Sequence, residues 1–150
     1  MRASPGVSTA HFLTTPLRRT FTYCKPLLVE PDQAPIELNR LDSKNWTTTP
    51  AEIEARLSQS LREVAPRVDA VIVLEQVDQA ETGVVTRGLL DTLRSVAEEH
   101  PDLPILADSR RGLGGWPSVG FKMNAAELSA LLGRAEVSAV DDVKRAAVDL

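Results

Sequence analysis

The sequence predicts an α/β fold: a doubly wound parallel sheet with helices on both faces, preceded by an antiparallel β-flap. Three observations lead there. The runs "VDAVIVLE" and "LPILAD" are short and almost continuously apolar, as strands inside a parallel sheet are. Around them lie longer stretches whose apolar residues recur at helical spacing. The two kinds of segment alternate, which is the pattern of βαβ units, and right-handed crossovers then set helices on the sheet's faces.

Residues 1–45 follow a different pattern and are assigned to the flap. "RRTFTYCKPLLVE" is rich in Thr, aromatic and β-branched residues, which favours a strand. "PDQAP" breaks it with two prolines, and "IELNRLD" then alternates, with Ile36, Leu38 and Leu41 against polar neighbours. The prolines, Pro26 among them, suit edge strands.

Residues 46–150 form the α/β core. "TPAE" is read as a capping box with Pro50 at the first helical position, followed by Ile53, Leu57, Leu61 and Val64 on one face and a stop at Pro66. After "VDAVIVLE" a second helix follows Thr86, with Leu89, Leu90, Leu93, Val96 and Ala97 inward. "LPILAD" is the second buried strand and "SVGFKM" a weaker third. Asn124 opens a third helix that ends near Gly133. Ser138 to Leu150 reads as a fourth, with Val140, Val143 and Ala147 inward.

Composition narrows the function. The 150 residues are 43% hydrophobic and 25% charged, an ordinary globular mix of one-domain length. A net charge of −4 gives no basic footprint for nucleic acid. The single Cys24 excludes an internal disulfide and a cysteine zinc site, and neither His11 nor His100 has a motif around it. No apolar run approaches the roughly 20 residues that span a bilayer, and the polar, proline-broken first residues are not expected to act as a signal peptide. A cytoplasmic protein with no membrane partner is expected.

In parallel α/β sheets ligands bind beyond the carboxyl ends of the strands. Those ends are polar here: Glu75, Gln76 and Asp78 after the first strand, Asp108, Ser109 and Arg110 after the second, Lys122 and Asn124 after the third. Asn124 and Glu127 carry two readings. Asn is a preferred N-cap, and Glu at the third helical position completes the box. A helix N-terminus is also an anion site, and Lys122 adds positive charge beside it. The loop "ADSRRGLGGW" is open to both readings too. Asp108 is either a loop cap or a ligand group, and no GxGxxG or Walker A pattern accompanies it. Cys24 and Lys25, taken as bare residues, read as structural rather than catalytic.

The flap, the alternating core and "GFKMNAAELSALLG" together resemble the ribokinase-like, or PfkB-type, carbohydrate kinases. Lys122-Met123-Asn124-Ala125-Ala126-Glu127-Leu128 is similar to that family's K-P-N-x-x-E-L, "TGVVTRGLL" to its strand-end segment, and the flap to the lid of the heptose-kinase branch. The resemblance implies ATP-dependent phosphoryl transfer to a sugar hydroxyl with Mg²⁺. It implies that Lys122, Asn124 and Glu127 bind ATP, that Glu127 also orients magnesium-bound water, and that Asp108, Lys25 and Arg40 bind a sugar or sugar-phosphate. It also suggests a homodimer through the flap. Met123 stands where the family has proline, and the family's G-A-G-D and N-terminal di-glycine motifs do not occur in these residues. The chain is therefore expected to be a truncated or incomplete copy, inactive alone. Two alternatives stand beside this: a non-catalytic nucleotide- or sugar-binding α/β module, and an unrelated doubly wound protein in which Asn124 only caps a helix.

Overall fold

The computed structural model describes residues 5–134 and 140–148. The chain divides into two compact units, Met1–Thr48 and Thr49–Leu150.

The first unit holds four short strands: β1 (Thr22–Cys24), β2 (Leu27–Leu28), β3 (Ile36–Glu37) and β4 (Leu41–Ser43). β1 pairs antiparallel with β4, Tyr23 opposite Asp42, and β2 with β3, Leu28 opposite Ile36. The expected flap is thus present as a hairpin split into two ladders. The break falls at Pro26, which has no N–H to give to a ladder, although its carbonyl accepts from the Leu38 N–H at 2.9 Å. In the connecting turn Asp32 has φ 60, a conformation Asp tolerates better than most residues.

The second unit begins with helix α1 (Ala51–Val64). The capping box expected at "TPAE" is not made. The Thr49 hydroxyl donates to the Gly83 carbonyl at 2.6 Å and its N–H to the Glu81 carbonyl at 2.7 Å. Thr49 is thus drawn into the loop at residues 81–83, Pro50 becomes the cap residue, and no side chain caps α1. A short 3₁₀ turn, Ala65–Arg67, carries Pro66 and ends the helix.

Strand β5 (Val71–Glu75), helix α2 (Arg87–Glu99) and strand β6 (Ile105–Ser109) form a βαβ unit, and β7 (Gly120–Phe121) extends the sheet. All three strands are parallel in the order β5-β6-β7, with Val73 opposite Ala107 and Ala107 opposite Phe121. The Thr86 side chain accepts from the Leu89 N–H and caps α2 as expected. Helices α3 (Ala125–Leu132) and α4 (Val140–Ala147) follow, and α3 ends at Gly133 with φ 62, a left-handed turn that glycine adopts without strain.

The core lies on one face of the sheet. Ala65, Leu93, Val96 and Ile105 are buried there, with Leu61 of α1, Leu90 of α2, and Val71 and Val73 of β5 packed against them. Because side chains alternate along a strand, the other face carries Ile72, Leu74 and Leu106, which are 67%, 51% and 43% exposed. Helices on both faces were expected, but α1 and α2 share one. An apolar run shows what a strand is able to bury, and "VIVLE" is apolar on both sides whether or not both are covered. Exposed apolar strips of this kind promote association, so the chain is expected to self-associate as its concentration rises. Sedimentation velocity at low and high concentration checks this, with Ile72→Lys reducing the effect; a monomer at both concentrations would contradict it.

The inward face of α4 also differs from expectation. Ala146 is buried and Val143 packs with it against Leu128 and Leu132 of α3 and against Met123, while Val140 is 69% exposed and Ala147 is exposed. The stripe that meets α3 runs through residues three apart, 143 and 146, and rotates Val140 and Ala147 away from it. The expected ends of this helix, Ser138 and Leu150, lie outside the described residues. Among the described residues no helix is long and apolar enough to cross a membrane.

Candidate functional site

Parallel pairing sets the carboxyl ends of β5, β6 and β7 side by side. The ladder continues past β7, where the Lys122 N–H donates to the Ala107 carbonyl at 2.9 Å. Lys122 and Asp108 then meet: Nζ donates to Oδ2 at 3.0 Å. The Lys122 side chain is 63% exposed and that of Asp108 25%, so this pair is largely solvated and contributes little to stability. It leaves the lysine within reach of a ligand.

Asn124 and Glu127 make a complete capping box at the start of α3. The Asn124 Oδ1 accepts from the Glu127 N–H at 2.9 Å, and the Glu127 Oε2 accepts from the Asn124 N–H at 2.7 Å. The local sequence thus folds as capping chemistry dictates. The cap satisfies the N–H of Glu127; those of Ala125 and Ala126 precede the first intrahelical acceptor and still point out of the helix end. Capping and anion binding are compatible in this geometry. Ser109, Gly112, Lys122, Met123 and Glu127 line a common shallow hollow together with Leu113 and Leu131, of about 10 Å³, the room of roughly one water molecule. Met123, at the proline position of the resembled motif, has its own task, packing into the α3–α4 cluster.

Glu75 was expected on the rim as a polar strand end. It is buried, 1% exposed. Its Oε2 accepts from the Ser109 hydroxyl at 2.5 Å and its Oε1 from the Arg111 Nε at 2.9 Å. The Arg111 N–H donates to the Ser109 Oγ at 3.1 Å, and the Arg110 N–H to the Glu75 carbonyl at 3.0 Å. Arg110 Nε reaches the Gln76 Oε1 at 3.1 Å. These bonds join the ends of β5 and β6 and fix the first residues of the loop beyond. The pairing of Glu75 with Arg111 was not legible in the sequence. An acid closing an apolar run was the signal available, but its partners lie 34 and 36 positions away.

Lys25 and Arg40 belong to the first unit and are paired inside it. Lys25 Nζ lies 3.2 Å from Glu37 Oε1. Arg40 Nη2 lies 2.7 Å from Asp42 Oδ2, with its guanidinium 5.2 Å from the centroid of the Tyr23 ring.

Among the described residues no group of three or more His, Cys, Asp or Glu side chains is placed to hold a metal ion. Mg²⁺ in phosphate chemistry needs no such cage: it keeps most of its waters and takes one or two carboxylates plus the phosphates themselves. One oxygen of Glu127 is engaged by the cap and the other is not, a donor set that fits a hydrated Mg²⁺ carried in with a polyphosphate. No protein-family model matches the chain, and no curated protein matches it.

Proposed function

We propose that the second unit is the nucleotide- and sugar-facing part of a carbohydrate kinase of the ribokinase-like kind. The observation that carries this reading is the grouping at the strand ends, where Lys122 and Glu127 line one shallow hollow beside the N-terminus of α3. Phosphoryl transfer asks a protein mainly for positioning and charge neutralisation. Lys122 would neutralise phosphate oxygens, the N–H groups of Ala125 and Ala126 would donate to them, and Glu127 would hold a water of Mg²⁺, which supplies the remaining positive charge. Asp108 would accept from a sugar hydroxyl. The reading extends to a cytoplasmic location and to pairing of two flaps, which the exposed Leu27, Leu28 and Ile36 support.

A second reading, a binding module without turnover, is favoured by one observation: these residues contain no G-A-G-D. The kinase reading, and the module reading where its ligand is a nucleotide, require magnesium–ATP to bind at α3, and two variants test that. Asn124→Asp keeps the cap, because Asp caps as well as Asn, but sets a carboxylate against phosphate. Glu127→Gln keeps the capping box and removes the charge that faces Mg²⁺. Both are expected to unfold within about 0.5 kcal/mol of the parent and to bind magnesium–ATP roughly tenfold more weakly, the scale of one charge-assisted contact. Calorimetric titration measures the affinity; unchanged affinity in both variants would leave capping as the whole role of these residues.

A further inference from the structure

We propose that Arg111 is a binding residue for a phosphate group, and that the buried carboxylate of Glu75 is the positioning residue that holds its guanidinium ready. Arg111 has five side-chain N–H donors. One of them, on Nε, is used by Glu75. The Nη groups have no acceptor among the described residues. The side chain keeps 31% of its surface open, while its carboxylate partner keeps 1%. A guanidinium anchored at Nε by a buried acid loses little further freedom on binding. Its remaining edge is the planar fork that matches phosphate.

The backbone around it is anchored in the same way. The Arg111 N–H is fixed by Ser109, whose hydroxyl is in turn donated to Glu75. The loop that follows is open. Gly112 and Gly115 have φ 89 and 78, and a Cβ built on either would meet nothing within 4 Å. The backbone of the segment after Arg111 is thus uncrowded at these two positions. The pairing that compensates the buried carboxylate engages Nε, which leaves the Nη edge outside it. The phosphate belongs either to a nucleotide or to a sugar phosphate, and the same fork suits both. The inference does not depend on kinase activity.

Arg111→Lys is the decisive variant. It keeps a positive charge beside Glu75, so the buried carboxylate stays paired, but it removes the planar fork. The double variant Glu75→Gln/Arg111→Gln removes both charges and leaves no buried ion, which guards against a fold defect in the single change. Inorganic phosphate, magnesium–ATP and fructose 6-phosphate are titrated calorimetrically into the parent and both variants, with far-UV circular dichroism as the fold control. Affinity for at least one of the three is expected to fall by about tenfold or more in folded variants, the loss of one charge-assisted hydrogen bond or more. A drop for ATP alone assigns the fork to the nucleotide, and a drop for fructose 6-phosphate alone assigns it to the sugar phosphate. Unchanged affinity for all three, or no binding of any by the parent, overturns the proposal. Binding of inorganic phosphate through Arg111 without any binding of magnesium–ATP would uphold this site while removing the kinase reading.

Discussion

Arg111→Ala is expected to cost the second unit about 3–5 kcal/mol, the range for removing one partner of a buried ion pair. The lower end is the better expectation, because Arg111 is itself 31% exposed. The cost arises on the other side of the pair. Glu75 is 1% exposed, so its carboxyl group would be left in the interior with the Ser109 hydroxyl as its remaining side-chain partner among the described residues. Glu75→Ala is expected to cost less, about 1–3 kcal/mol, since it removes the buried charge and leaves an arginine that can reach solvent. The asymmetry is the diagnostic feature. With a typical total stability of about 5–15 kcal/mol, urea unfolding resolves it easily. Equal costs for the two variants would contradict a desolvated carboxylate at this position.

Leu93→Ala carries the second large effect. Leu93 is 1% exposed and lies in the cluster formed by α1, α2 and the inner face of the sheet, among Ala65, Val96 and Ile105. Its removal is expected to destabilise by about 3–5 kcal/mol, the sum of lost transfer energy and a cavity that helices anchored to strands cannot close. Leu89, one turn earlier on the same helix, is only half-buried, and its replacement by alanine is expected to cost less than half as much. Denaturant titration of the two variants checks the ranking. Similar values would mean that the core does not lie where α2 meets β6.

Features carried by local chemistry were readable from the residues. Thr86 and Asn124 cap their helices as Thr and Asn do, Gly133 takes the left-handed position, and the runs "VIVLE" and "ILADS" form neighbouring parallel strands. Features decided by distant partners were not. Thr49 has the sequence of a cap, yet its hydroxyl is taken by Gly83, 34 positions away. Val140 and Ala147 fit an inward stripe, yet the position of α3 selects Val143 and Ala146. Ile72, Leu74 and Leu106 look buried because they are apolar, yet each is exposed. The site divides along the same line. Asp108, Lys122, Asn124 and Glu127 were legible because strand ends and a helix start are local signals. The buried bracket of Glu75, Ser109 and Arg111 depends on register between β5 and β6, which no local pattern specifies.

The central claim is that the carboxyl end of this parallel sheet receives the phosphates of magnesium–ATP at α3. Titration of magnesium–ATP into the 150-residue chain tests it most directly, with nucleotide taken to about 1 mM, the weak end of typical enzyme–substrate affinities. Saturable binding at one site, dependent on Mg²⁺ and weakened by Glu127→Gln, is the expected result; no saturable binding across that range would contradict it.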